Sequence, residues 1–61
     1  MTYKEFLTTA LFKDSDCIDI QNKNKEIQDI KNYKKIRNKT ILDYEVSIVD
    51  DLVITTLTMD I

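Results

Sequence analysis

Across 61 residues this chain carries no glycine and no proline. Average usage, roughly 7% and roughly 5%, would supply about four of the first and about three of the second. Every reversal of direction must therefore be made by a residue with a Cβ, and among those Asn and Asp tolerate the left-handed backbone best. Turns are accordingly expected at Asn22, Asn24, Asn32, Asn38, Asp50 and Asp51. The same absence removes the P-loop, the dinucleotide-binding fingerprint and the EF-hand loop, each of which needs glycine at a set position. Histidine is missing as well, which removes a His-based triad and every His-containing zinc signature.

At this length, with 43% hydrophobic and 33% charged residues, the chain is expected to form one small domain over residues 1–61. Its single cysteine cannot close an intramolecular bridge, so a reducing, intracellular setting is expected. Residues Met1 to Ala10 place Lys4 and Glu5 among the apolar positions, unlike the basic-then-apolar design of a secretory signal. Apolar runs reach only three residues, against about 18 for a bilayer span.

Thr2 followed by Glu5 is a capping-box pattern and predicts a helix start. Tyr3, Phe6, Leu7, Ala10 and Leu11 then fall at helical spacing on one face, giving about nine residues of helix that must dock on something to persist. After the polar run Lys13 to Asp16, the residues Cys17-Ile18-Asp19-Ile20 alternate as a half-buried strand does, with Ile18 and Ile20 inward. Gln21 to Lys25 reads as a turn. A returning strand is expected over Glu26 to Ile30, although Ile27, Ile30, Tyr33 and Ile36 repeat every third residue and equally mark a helical turn. A short irregular or helical crossover then runs through Arg37.

The C-terminal stretch carries the strongest pattern. Tyr44 to Val49 and Leu52 to Leu57 are two β-favouring runs around Asp50-Asp51. With the hairpin centred between the aspartates, Tyr44 opposes Leu57, Val46 opposes Thr55 and Ile48 opposes Val53, all on one apolar face. Tyr3, Phe6, Phe12 and Tyr44 are expected in the core. The expected fold is α+β, with an N-terminal helix packed on a three- to four-stranded, mostly antiparallel sheet that ends in a β-hairpin.

Charge is segregated along the chain. Residues 1–22 hold two lysines against four acids, and residues 23–39 hold seven basic residues against Glu26 and Asp29. Residues 40–61 hold Asp43, Glu45, Asp50, Asp51 and Asp60 with no base. The three nets are −2, +5 and −5, and together they give the chain's net of −2. Three readings follow. The basic segment 31–39, with Tyr33 available for stacking beside Lys34, Lys35 and Arg37, can grip phosphates, but the acidic net charge and the lack of a recognised nucleic-acid motif count against nucleic acid as the partner. The acidic hairpin, through Asp43, Glu45, Asp50 and Asp51, can enter a basic groove as a surrogate for phosphate. In the third reading, both runs are solvated faces that keep a small domain in solution.

Asp14-Ser15-Asp16-Cys17-Ile18-Asp19 is the densest ligand-like cluster, and Asp14, Asp16 and Cys17 are weak candidates for a zinc ion. A fourth ligand would have to come from elsewhere, and Ile18 stands where a calcium loop needs oxygen. The competing reading makes Asp14, Ser15 or Asp16 shape the turn after the helix and Cys17 a small residue at a strand start. No base partners Cys17 and no paired-carboxylate site can be placed by spacing, so no catalytic residue is assigned. Tyr33, flanked by lysines, is the aromatic expected to be exposed and to anchor an interface.

Thr2-Tyr3-Lys4-Glu5-Phe6-Leu7, then Asp14-Ser15-Asp16-Cys17-Ile18-Asp19-Ile20, then Leu42-Asp43-Tyr44-Glu45-Val46 before a terminal hairpin resembles small phage and mobile-element proteins of low-GC Gram-positive bacteria. Chains of this size and origin include the anti-CRISPR proteins. The resemblance implies a non-enzymatic inhibitor that acts in the cytoplasm of a bacterial host cell. It would bind a type II CRISPR nuclease and block DNA loading or cleavage. It departs from the pattern at the first hairpin, where a glycine is missing, and it carries no inhibitory residues over to this chain. Two alternatives stand beside it: a small phage regulator that binds nucleic acid through residues 31–39, and a homodimeric structural or assembly protein.

Overall fold

The computed structural model describes all 61 residues, Met1–Ile61. In chain order the elements are α1 (Tyr3–Phe6), α2 (Ala10–Asp14), β1 (Cys17–Gln21), a 3-10 helix (Tyr33–Lys35), β2 (Ile41–Val49) and β3 (Leu52–Met59). The strands form one sheet in the order β1-β3-β2, and the helices lie over one of its faces.

The capping box forms as the sequence predicts. Glu5 N–H donates to Thr2 Oγ1 at 3.3 Å while Thr2 N–H donates to the Glu5 carboxylate at 2.9 Å. The single helix of about nine residues does not. The hydroxyls of Thr8 and Thr9 donate back to the carbonyls of Glu5 and Phe6, competing with helix continuation, and Thr9 swings to an extended conformation with ψ at 158°. There it caps a second helix, accepting the Phe12 N–H on its own Oγ1. The chain therefore changes direction at Leu7–Thr9, which leaves Leu7 and Ala10 exposed instead of on a buried face.

β1 forms where its alternation places it, with Ile20 buried, Ile18 half-buried and Cys17 exposed. The turn that follows is organised by Asn22, whose side-chain oxygen accepts the N–H groups of Asn24 and Glu26 at 3.0 Å each. The left-handed residue is Lys25, at φ 63°, and not Asn22 or Asn24. Asn22 is needed as an acceptor, so the strained position falls three residues later. The expected strand Glu26–Ile30 shrinks to one bridge between Gln21 and Ile27. Beyond it the chain crosses irregularly to the 3-10 helix, whose cap Asn32 accepts the Lys34 N–H at 3.1 Å.

The sheet is mixed and has three strands, where a mostly antiparallel sheet of three or four was expected. β2 and β3 pair antiparallel, but β1 pairs parallel to β3, with Cys17 beside Ile54 and Gln21 beside Thr58. Asp16 sets this register. Its N–H donates to the Val53 carbonyl at 2.8 Å and its carboxylate accepts the Val53 N–H at 2.7 Å, so both backbone groups of Val53 are held at the mouth of the parallel ladder.

The hairpin has the register read from the sequence, with Tyr44 opposite Leu57, Val46 opposite Thr55 and Ile48 opposite Val53. Asp50 and Asp51 stand at φ 51° and 65°, the two left-handed positions of a type I′ turn, and Val49–Leu52 closes it. At the far end a bulge at Leu42 brings Ile41 opposite Met59.

The core is small. Tyr3, Phe6, Ile20, Ile36, Leu57 and Met59 are buried together, with Leu11, Phe12, Ile18, Ile30 and Ile41 packed partly against them. Tyr44 is not among them. The two helices cover β1 and β3 but do not reach across β2, so Tyr44 is 60% exposed and Ile48 is 73% exposed on the same face that Leu57 occupies fully buried. The one buried polar side chain, Thr55, shares a 2.6 Å hydrogen bond with Ser15 Oγ, which donates to the Leu11 carbonyl. Thr55 Oγ1 is then the donor to Ser15, and α2 is tied to the central strand through two hydroxyls.

Removing Ser15 Oγ strands a buried hydroxyl, whereas removing Thr55 Oγ1 leaves Ser15 its carbonyl acceptor. Ser15→Ala is therefore expected to cost about 1–3 kcal/mol in chemical denaturation. Adding Thr55→Val to it should recover part of that loss, and a double variant less stable than Ser15→Ala alone would refute the relay. At the hairpin, Asp50→Asn with Asp51→Gly supplies the residues that a type I′ turn prefers and removes two adjacent like charges. The denaturation midpoint should rise, by about 0.5–1 kcal/mol in stability.

Candidate functional site

The geometry resolves the segregated charges into two surfaces. The first is the β2–β3 hairpin. Strand alternation puts Asp43 and Glu45 on the sheet face away from the helices, and the cross-strand rows place Asp19, Thr56 and Glu45 side by side. That face is uncovered and carries no Lys or Arg on any strand, since residues 40–61 contain none and β1 contains none. Asp50 and Asp51 extend the negative charge to the exposed tip. Asp19 joins this set only through the parallel β1–β3 pairing, which the alternation of β1 by itself does not reveal.

β2 is an edge strand of nine residues; the N-terminus meets its outer edge at Ile41, whose N–H donates to the Met1 carbonyl at 2.7 Å, and from Tyr44 onward that edge has no partner strand. In a two-residue hairpin the flanking pair, here Val49–Leu52, exchanges backbone hydrogen bonds, and bonded pairs recur at every second residue. Ser47, Glu45 and Asp43 thus bond inward to β3. The N–H and C=O groups of Tyr44, Val46 and Ile48 are directed to the open edge. Tyr44 N–H is satisfied by the Asp43 carboxylate at 2.8 Å. Val46 and Ile48 keep theirs free, and their side chains stand exposed on the apolar face. Edges of this kind usually carry lysine, proline, a bulge or a short strand to discourage pairing; β2 has a bulge at Leu42, but no lysine or proline and no bulge from Tyr44 to Val49. Beside it an apolar groove of about 210 Å³ runs between the helices and β2, lined by Met1, Phe6, Leu11, Ile41, Tyr44 and Leu57.

The second surface is a cleft of about 200 Å³ between α1 and the 3-10 helix, lined by Tyr3, Lys4, Leu7, Tyr33, Lys34 and Arg37. Tyr33 is exposed, as its flanking lysines predict, but it also stacks on the buried Tyr3, with ring centroids 5.8 Å apart and planes inclined by 10°. Two backbone bonds hold the walls together: Lys4 N–H donates to the Arg37 carbonyl at 2.9 Å and Tyr3 N–H to the Lys39 carbonyl at 3.1 Å. Lys4 therefore sits with Lys34 and Arg37 although some thirty residues separate them in sequence, and reading the basic segment alone misses it. Lys35 lies outside this cleft, in a separate hollow with Asp29, Lys31 and Asn32. Burial, with a smaller contribution from Tyr33, pushes the Tyr3 phenol above its ordinary pKa. Tyr3 therefore stays neutral, and the charge of the cleft is set by its three cations.

The weak metal candidates part company. Asp16 is engaged with Val53, Asp14 ends α2, and Cys17 is a free, exposed thiol at the start of β1. No three Cys, Asp or Glu side chains converge where they could hold a metal ion. No helix is long and apolar enough to cross a membrane. The single ion pair joins Lys23 to Asp60 at 2.9 Å and lowers the Asp60 pKa, so the four hairpin acids, Asp43, Glu45, Asp50 and Asp51, have no cationic partner within the chain.

The capping box that seats Lys4 has its own pH signature. The Thr2 N–H and hydroxyl both stabilise the Glu5 carboxylate and hold its pKa below the ordinary 4.5. A lowered folded-state pKa contributes stability that is present above the unfolded value and is lost as pH falls through the folded value. The melting temperature of the wild type should exceed that of Glu5→Gln near neutrality, and the gap should close between about pH 5 and about pH 2. A gap that stays constant over that range would show that the carboxylate does not carry the cap.

Compared with protein-family models, with curated proteins and with solved structures, the chain matches none.

Proposed function

We propose that this chain is a non-enzymatic binding protein whose docking surface is the β2–β3 hairpin, and that its partner is a basic protein surface. The observation that carries this reading is the nine-residue edge strand β2, with apolar Val46 and Ile48 free on one side and Asp43 and Glu45 on the other. A partner strand added along Val46 and Ile48 gains backbone hydrogen bonds, covers the apolar stripe and meets carboxylates on the opposite face. Such a strand alternates apolar and basic residues.

A second copy of this chain is the competing occupant. Antiparallel pairing of two β2 strands keeps equivalent faces together, so Asp43 and Glu45 of both copies would share one face as like charges. That opposition favours a basic partner. Proteins that handle nucleic acid present such surfaces, and an acidic hairpin tip at Asp50 and Asp51 enters a basic groove as a phosphate does. Together with the anti-CRISPR resemblance, this leads to the specific reading: an inhibitor of a type II CRISPR nuclease acting in the bacterial cytoplasm.

The test is target-DNA cleavage by a reconstituted, guide-loaded type II nuclease. Added protein should suppress cleavage, and Asp50→Lys with Asp51→Lys should lose at least about tenfold in potency while melting cooperatively, in keeping with the cost of like-charge contacts at an interface. Undiminished inhibition by the lysine variant would move the contact away from the hairpin. Uninhibited cleavage with the wild type would end the nuclease reading. A mass in solution of twice 7.2 kDa would show the edge to be covered by a second copy instead.

A further inference from the structure

The cleft between α1 and the 3-10 helix lies on a different surface from the hairpin and has a different chemistry. Three cations, Lys4, Lys34 and Arg37, line it with no acidic residue among them, and none is paired, since the molecule's single ion pair is Lys23–Asp60. Glu5, the nearest acid in sequence, is turned away into the capping box with Thr2. Gathering three like charges around one concavity is unfavourable unless an anion shares it. Between the cations stands an aromatic shelf. Tyr33 rests one ring face on Tyr3 and remains 55% exposed, so its other face is open to a flat ligand.

The shelf is held in place before any ligand arrives. Asn32 caps the 3-10 helix through the Lys34 N–H, Tyr3 is packed in the core, and the Lys4–Arg37 and Tyr3–Lys39 backbone bonds fix the opposite wall. Little ordering entropy remains to be lost on binding apart from that of the lysine and arginine side chains.

We propose that this cleft binds one nucleotide unit, with the base stacked on Tyr33 and the phosphate held by Lys4, Lys34 and Arg37. Stacking on a tyrosine accepts any base, and cations placed beside it track the backbone, which is the chemistry of single-strand recognition. The volume of about 200 Å³ admits one base and not a duplex end. A free mononucleotide and a single-stranded nucleic acid share this chemistry. In a duplex the bases are already stacked and paired, so they are not available to Tyr33.

The experiment is fluorescence anisotropy of a labelled thymidine oligonucleotide of about ten residues, titrated with the intact protein near 50 mM salt. Binding is expected, with an affinity that falls with salt at a log–log slope of about −0.7, as one phosphate contact on a single strand requires. Tyr33→Ala should weaken it roughly tenfold. Lys34→Glu with Arg37→Glu should abolish it. All three residues are exposed, so circular dichroism should show these variants folded. Displacement by thymidine monophosphate at the same concentration of nucleotide units would identify the free nucleotide as the ligand, and displacement only by oligomer would identify the single strand. The proposal is overturned by no anisotropy change with the wild type, by equal binding to the Tyr33→Ala variant, or by a duplex binding as tightly as the single strand. None of these outcomes bears on the hairpin, since Asp50→Lys with Asp51→Lys leaves every lining residue in place.

Discussion

β3 is the strand on which everything else in this molecule is built. It alone pairs with both other strands, and its residues Thr55, Leu57 and Met59 are completely buried. Three other elements are fastened to it directly. The hairpin turn fastens β2, the two bonds from Asp16 to Val53 fasten β1, and the Thr55–Ser15–Leu11 relay fastens α2. In a core of six apolar side chains, each full burial contributes about 1.5–3 kcal/mol against a large loss of chain entropy. Polar contacts that fix register therefore matter more here than in a larger domain. Asp16 and Ser15 do at the start of β1 what a longer strand would do by repetition.

The same economy of size exposes the functional surfaces. Nine helical residues cover β1 and β3 and then run out, so the outer strand keeps its apolar stripe and its backbone edge in water. The lack of glycine acts on the same strand. A tight hairpin needs two left-handed residues, and in this chain they are aspartates, so the geometric demand of the turn places two carboxylates at the tip. Shape and charge at the hairpin thus arise from one compositional constraint. The basic cleft arises from another: the irregular crossover has little burial to offer, and its lysines and arginine are excluded from the core while Ile36 is drawn into it.

Reading the sequence succeeded where a few neighbouring residues decide the outcome. Thr2 and Glu5 lie one helical turn apart, Ile18 and Ile20 alternate, and the two β-favouring runs flank their own turn, so their interactions are settled within short segments. It failed where hydroxyls compete with helix continuation at Thr8 and Thr9, because propensity alone scarcely separates a helix from a helix that breaks. It failed also at Glu26–Ile30, where Ile30 packs partly against the core without a partner strand and Ile27 stays exposed. At the sites, exposure of Tyr33 was legible from its lysine neighbours. The membership of Lys4 and Asp19 was not, because each is brought to its surface by a pairing with a distant segment.

By itself the amino-acid sequence determined the local devices of this protein: the cap at Thr2, the register of the β2–β3 hairpin, its two-aspartate turn, and the division of charge between crossover and hairpin. Each depends on residues close enough in the chain to meet without help. Only the tertiary structure decided that β1 runs parallel to β3, that Tyr44, Val46 and Ile48 face water, and that Lys4 completes a cationic cleft around Tyr33. Those outcomes depend on which distant segments share the few buried positions available, and in a chain this short the central strand takes three of the seven and the edge strand none.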